Sequence, residues 1–289
     1  MSVKSVLLRA GRRFGGSLLE FHYQFKRVDK TAASLFTYAV LVVFWQLTLL
    51  ITVSAFAVPT VHGWVVVEFS TRRRTHVPVI WDAKKGTRGQ VQKMKEVYTS
   101  EGFVEVEEGD VVVDVGAYIG TFTLVAARDA SRVVAVDPFS LIDNSLVRNT
   151  RTLENVVVVP KGAWNSNGSM DMNLSLFPND NSLIEPDTYS LDFSVCVEVS
   201  TVPDIVGLYD LDHIDFLKIE AEGVEPEVLE GAFSDTDTSV DKVVVNCAAE
   251  REGDSPTEDV TALLERHGYT VRVGHADAWD ADMVYARRE

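Results

Sequence analysis

The chain has 289 residues, with 43 Asp plus Glu against 27 Lys plus Arg, a formal charge of −16. That length holds one large or two small domains, and so acidic a chain does not draw affinity from neutralising phosphates, which argues against a nucleic-acid partner. The two cysteines, Cys196 and Cys247, supply neither a disulfide framework nor a Cys-rich zinc site.

The charge is divided along the chain. Residues 1–90 carry 13 basic and 4 acidic side chains, net +9, leaving 14 basic and 39 acidic, net −25, for residues 91–289. Lys4, Arg9, Arg12, Arg13, Lys26, Arg27 and Lys30 open the chain, and no formally charged residue lies between Lys30 and Glu68. Within that gap residues 35–58 (LFTYAVLVVFWQLTLLITVSAFAV) are long and apolar enough to predict one membrane-type helix, spanning a bilayer or lying in its interface, with a buried soluble helix as the alternative. More than thirty residues precede it, unlike a cleaved secretory signal. Arg72, Arg73, Arg74, Lys84, Lys85 and Arg88 follow, so both flanks are positive and the positive-inside rule assigns no orientation. The organisation read from this is a basic arm and apolar helix over 1–60, a linking β/helical subregion over 61–108 and a main domain over 109–289.

From Gly109 onward, short β-branched runs alternate with helical stretches, the pattern of an α/β domain. Strands are expected at 111–115, 132–136, 155–159, 215–219, 242–246, 269–273 and 282–286. Their near-continuous apolar character suits strands covered by helices on both faces. Helices are expected at 120–130, 139–152, 224–232 and 257–267. Residues 166–201, rich in Asn, Asp and Ser, read as a β-rich insertion over the sheet edge.

The segment V-V-V-D-V-G-A-Y-I-G-T, residues 111–121, is a strand that ends in a glycine turn and opens a helix. Gly116 permits a close backbone approach, and Gly120 permits a helix start close to a ligand or the sheet. Asp137, at the end of the second strand, is positioned to bond the two hydroxyls of a ribose. A dinucleotide fingerprint needs a second glycine where Tyr118 stands, which disfavours a nicotinamide-dependent oxidoreductase. The Asp114 carboxylate, two residues before Gly116, suits the cationic amino group and sulfonium of S-adenosyl-L-methionine better than it suits phosphate oxygens.

These residues resemble a known family. The segments VDVGAYIGTFT, VVAVDPF, Asn149 in LVRNTRTL, VVPKGAW and IDFLKIEAEGVEPEVLEGA are similar, in order and spacing, to the FkbM family of S-adenosylmethionine-dependent methyltransferases, over residues 98–287. The resemblance implies a Rossmann-like, seven-stranded class I methyltransferase sheet with its last strand antiparallel, and O-methylation of a sugar or polyketide hydroxyl. It further implies that Asp114, Gly116, Ala117 and Gly120 form the methionine-binding loop, that Asp137 takes the ribose, and that Ala163 and Trp164 lie near the adenine. The family pattern K-I-D-V-E-G-x-E fits Lys218, Glu222, Gly223 and Glu225, while Glu220 replaces the usual Asp.

Methyl transfer to a hydroxyl requires in-line alignment and a base for the proton. Glu220 or Glu222 is the expected base, with Lys218 as an alternative or as a neighbouring charge that lowers their pKa. Glu225 and Glu227 read as partners of a helix N-terminus. His213 is expected at the far end of its strand, His22, His62, His76, His267 and His275 have no carboxylate partner readable from sequence, and no metal site is read. The acceptor is expected to be a small molecule, a glycan or a lipid-linked saccharide, contacted by residues 166–201 and the stretch before Gly109. The catalytic domain is expected in the cytoplasm, where S-adenosylmethionine is made, membrane-associated through residues 35–58 or else soluble. A membrane-anchored protein with a degenerate, non-catalytic Rossmann domain is the competing reading. The excess acid suits a protein hydrated at high salt, which suggests a halophilic source.

Overall fold

The computed structural model describes residues 32–53, 55–60, 63–69, 74–77 and 88–288, except 142, 176, 187–189, 278 and 279. The basic arm up to Lys30, together with Arg72, Arg73, Lys84 and Lys85, lies outside the described residues.

Helix α1 (Ala32–Val53) contains neither Gly nor Pro. It stops short of the expected end at 58, because the pattern changes period: Ala55 and Ala57 are buried while Phe56 and Val58 are exposed, the alternation of a strand. That strand, β1 (Ala55–Thr60), pairs antiparallel with β2 (Gly63–Glu68), which pairs with β3 (Arg74–Val77). Gln46, a polar residue in an apolar helix, accepts from the Ala57 N–H at 2.9 Å and donates to the Ala57 carbonyl. The helix and meander therefore fold together, and the division expected at residue 60 falls inside this unit. Among the described residues no helix is long and apolar enough to cross a membrane.

Helix α2 (Arg88–Val97) belongs to the main body, which begins about twenty residues earlier than the expected boundary at 109. Its Val91 and Met94, with Tyr98, Phe103 and Val104, share one apolar cluster with Val112, Phe122, Val133 and Phe216 of the sheet region. The body is an α/β domain on a seven-stranded sheet. Its strands are β4 (Val111–Val115), β5 (Arg132–Val136), β6 (Val156–Val159), β10 (His213–Ile219), β11 (Ser239–Cys247), β12 (Thr270–Ala276) and β13 (Ala281–Arg287). The order is β12-β13-β11-β10-β4-β5-β6, and β13 alone is reversed.

Helices cover both faces. Short α3 (Thr123–Ala126) joins α2 on one face, and α4 (Ser145–Thr150) packs beside β6. On the other face α5 (Val202–Gly207), α6 (Glu225–Ala232) and α7 (Thr257–Arg266) bury Ile205, Leu229 and Leu264 against Val113, Leu217 and Val243. The insertion is a small sheet of β7 (Gly162–Ala163), β9 (Ser190–Ser200) and β8 (Gly168–Ser175). The chain leaves β6 at one edge and returns at β10 beside β4, so the strand order reverses between β4 and β10. A crevice at the carboxyl ends of strands is expected at such a switch point.

Asn149 joins the N-terminal unit to the body. Its side chain accepts from His76 N at 2.7 Å and donates to the carbonyls of His76 and Ile119 at 2.9 and 2.8 Å, tying β3 to the loop after β4.

Candidate active site

A cavity of about 750 Å³ opens at the carboxyl ends of β4, β5, β10 and β11. Of the residues expected to bind cofactor, Gly116, Ala117, Asp137 and Ala163 line it, and so do the expected catalytic residues Lys218, Glu220 and Glu222. The insertion contributes Met172 and residues 178–183, and α2 with its following turn contributes Gln90, Met94 and Tyr98.

The turn after β4 is shaped by conformation. Gly116 has φ +72°, and a Cβ there would lie 1.7 Å from the Glu220 carbonyl oxygen. The close approach that requires glycine is thus between two strand ends, β4 and β10. Tyr118 follows at φ 50°, and its N–H donates to Asp137 Oδ2 at 2.6 Å while the Phe139 N–H donates to Oδ1 at 2.8 Å. Burial raises the Asp137 pKa to about 6 even though these two N–H groups favour its charged form. Each of its oxygens keeps a second lone pair, and Asp137 lines the cavity.

Three expected cofactor contacts are placed elsewhere. Asp114 is fully buried beneath the cavity: its carboxylate accepts from Thr123 Oγ1 at 2.6 Å and pairs with Lys218 Nζ at 3.1 Å. Asp114 and Lys218 are register partners on adjacent parallel strands, so the two charges face one another in the layer covered by α2. Gly120 supports packing, since a Cβ there would meet Leu146 Cδ1 at 2.9 Å. Trp164 lies outside the cavity lining, its backbone pressed against Gly231, whose added Cβ would come within 2.0 Å of the Trp164 carbonyl oxygen.

Lys218 is only 1% exposed, and its ammonium reaches the carbonyls of Val115 and Gly116 at 3.1 and 3.0 Å, Asp114, and Glu220 Oε2 at 3.3 Å. Burial opposes its charge, but Asp114 and Glu220 outweigh burial and raise its pKa. A lysine held among four acceptors braces the β4 turn and supplies the positive charge expected beside Glu220.

Glu220 is held between that ammonium and Asn246 Nδ2, which donates to Oε1 at 3.1 Å. Glu222, at φ 54°, is different. Burial first, then the charges of Glu250 and Asp180, push its carboxyl well above the usual range. Glu250 is raised to about 8 by burial and then by the charges of Glu225 and Glu220. Each of these two neighbouring buried carboxyls therefore resists ionisation. The buried Tyr98 hydroxyl completes this wall beside Glu220 and Asn246, and burial followed by Glu220 raises its pKa.

Glu225 and Glu227 stand in the first turn of α6, as expected of partners of a helix N-terminus, and each has further partners. Glu225 is buried and accepts from Ala221 N and Gly223 N at 2.9 and 3.2 Å, bracing the loop that carries Glu222. Glu227 makes a two-pronged pair with Arg251 at 2.8 and 3.0 Å. His213 sits at the amino end of β10 as expected, beside Asp215 at 3.2 Å and Asp241 at 3.3 Å, whereas His275, expected without a carboxylate partner, meets Asp282 at 3.1 Å.

Sequence reasoning missed Tyr98, Asn246 and Glu250. The available signal was the end of the apolar run KVVVNCAAE, because a polar residue closing a central parallel strand faces the same crevice as those closing its neighbours.

Residues 114–271, more than half of the chain, match the family described as Methyltransferase FkbM domain. Methyltransferase sdnD of Sordaria araneosa is 28% identical over 235 residues, covering 68% of this chain and 88% of that protein. Hexuronic acid methyltransferase AglP of Haloferax volcanii is 28% identical over 186 residues, 64% of this chain and 73% of that protein. The crystal structure of methyltransferase FkbM from Methylobacillus flagellatus superposes with a TM-score of 0.44 at 18% identity, covering 71% of this chain and 52%, about half, of that one.

Proposed function

Since the chain belongs to the methyltransferase FkbM family, we propose that this methyltransferase moves the methyl group of S-adenosyl-L-methionine to a hydroxyl of a neutral, sugar-like acceptor, and that it works in the cytoplasm. The observation that carries the reading is the convergence of Asp137, the Gly116 turn and the Glu222–Glu250 pair on one cavity.

The residues fit that cofactor. Asp137 is held by two backbone N–H groups with acceptor capacity left over for a ribose diol. Gly116 and Ala117 would lie under the methionine part, and Ala163 with Phe139 would flank the adenine. A cavity of this volume suits a ligand of nucleoside size together with an acceptor. When bound, the cofactor supplies an electrophilic methyl group on a cationic sulfonium, and the carboxylates around the cavity complement that charge.

This chain's own groups then do the rest. Lys218 fixes the carbonyls of the β4 turn, and Asn246 and Lys218 together fix Glu220. Glu222, whose carboxyl burial and the charge of Glu250 hold above the usual range, is basic enough to take a proton from an acceptor hydroxyl. Asp180, Glu220, Glu222 and Glu250 line the same wall, whereas the basic lining residues are Lys161 and the sequestered Lys218. Such a wall accepts hydrogen bonds from a polyol and repels an acidic sugar.

The test is titration calorimetry with S-adenosylmethionine, then transfer of labelled methyl to panels of neutral and acidic glycans. Asp137→Ala should weaken cofactor binding by about a hundredfold, the loss of two charge-assisted hydrogen bonds. Unchanged affinity overturns the cofactor assignment, and preferential labelling of acidic glycans overturns the neutral acceptor.

A further inference from the structure

We infer that the outward face of α1 rests on the surface of an anionic lipid bilayer, with the helix lying in the interface. Val40, Val43, Phe44, Leu47, Leu50 and Ile51 are all at least half exposed, Ile51 at 80%. Their spacings of three and one place them in a single stripe along the helix. The opposite face is already taken: Leu49 is buried against Ala55, Ala57, Trp64 and Val66, with Trp45 beside it, and Gln46 is bonded to Ala57. The stripe is therefore a second, separate apolar face, larger than the scattered apolar residues of an ordinary soluble surface.

Charge identifies the occupant. The stripe lies in a part of the sequence without formal charge, and the 90 residues around it carry +9. Arg74, on the adjoining meander, is exposed. A second copy of the chain would set like charge against like, because the sequence on both sides of the stripe is basic in each copy. Anionic headgroups offer the opposite sign beside an apolar interior, and they repel the −25 body, so the molecule is oriented with the helix towards the lipid. With its other face packed on the meander, the helix meets the bilayer along one side only, the in-plane arrangement.

The docked unit is fastened to the active site. Ile119 packs in the same cluster as Leu49 and Trp64, Tyr118 packs against that cluster, and Tyr118 also lines the cavity. Asn149 clamps β3 to Ile119. An acceptor held at the membrane would thus be presented near the cavity wall. The docking itself does not depend on the cofactor reading.

Flotation of the full chain tests it, using vesicles of phosphatidylglycerol mixed with phosphatidylcholine and vesicles of phosphatidylcholine alone. The chain should float with the anionic vesicles and less with the neutral ones. The triple variant Val43→Asp, Leu47→Asp, Ile51→Asp should lose at least about tenfold in partitioning, with unchanged melting and cofactor affinity because the three positions are exposed. Equal flotation of variant and parent overturns the proposal, as does failure of the parent to float. Self-association that the triple variant abolishes, without flotation of the parent, overturns it in favour of a second copy.

Discussion

At the carboxyl ends of the sheet, Asp137, Glu222 and Glu250 are withdrawn from water and their carboxyls are pushed upward in pKa. At the amino ends Asp215 and Asp241 flank His213 in partial solvent, and Asp215 also accepts from the Val111 N–H at 2.7 Å. The same residue type is therefore used in two ways: acids at one end are held against their preference, and acids at the other are solvated and partnered. Desolvation without a matching cation is tolerated only where folding is not the sole requirement, so the difference between the two ends, more than the abundance of acid, marks the site.

The largest effect that sharpens this contrast falls on turnover. Glu222→Gln keeps the shape and removes the base, and kcat should fall by about 10²–10⁴-fold with cofactor affinity within a few fold. In the parent enzyme kcat should rise with pH as the Glu222 carboxyl, held above the usual range by burial and by Glu250, loses its proton, and that rise should disappear in the variant. A steady-state pH series on both proteins checks it, and a variant retaining both rate and profile would move the base to Glu220.

The next effect is on stability and compares two lysines. Lys218→Met leaves Asp114 buried without its cation, so unfolding in denaturant should show a loss of about 3–5 kcal/mol. Lys242 at the other end also meets a carboxylate, Asp110, at 2.9 Å. Asp110 keeps the Glu107 N–H at 2.9 Å when that lysine is removed, and Lys242→Met should lose about 1–2 kcal/mol. Equal losses would mean that the two ends are solvated alike.

How far the molecule was legible from its sequence follows from which contacts are local. β4 and β5 fall on the expected residues 111–115 and 132–136 because an unbroken β-branched run bounded by Gly or Asp-Pro admits little else. Asp137 was legible because its position depends only on one strand end and the next turn. Asp114 was not, since whether an acid inside a strand faces ligand or core is decided by Lys218, its register partner 104 residues away. Asn246 and Glu250 join the site only because β11 pairs parallel with β10, aligning Val245 with Ile219. The helix expected over 120–130 shortens to Thr123–Ala126, after a turn in which Tyr118 and Gly120 both take positive φ. The β1 strand was hidden inside an apolar run whose change of period spans only four residues.

A smaller effect concerns Glu225, whose Oε1 takes two N–H groups while Oε2 has no hydrogen-bond partner among the described residues. Burial raises its pKa from 4.5 to about 7. The folded state then holds this proton to higher pH than the unfolded state, so stability is lost as pH rises from about 4.5 to 7. Glu225→Gln keeps the Oε1 acceptor and removes the charge. Thermal melts should show the variant more stable by about 1–3 kcal/mol at pH 8, with the gain vanishing near pH 4. A gain independent of pH would place the effect in packing.

The smallest effect belongs to the amino end. Asp241→Asn removes one of two carboxylates beside His213 and leaves Asp215 in place. At high salt, where exposed charges more than about 3 Å apart are screened, stability should change by no more than about 0.5 kcal/mol and kcat by less than twofold. Taken over the whole −25 body, however, many such small repulsions act together when salt is withdrawn. The melting temperature of the full chain should therefore rise steadily from low to multimolar KCl, and most of that rise should survive Asp241→Asn because no single surface acid carries it. A melting temperature indifferent to salt would remove the halophilic explanation of the acidic surface while leaving the buried carboxylates of the other end untouched, since those are shielded from the bulk ions by burial.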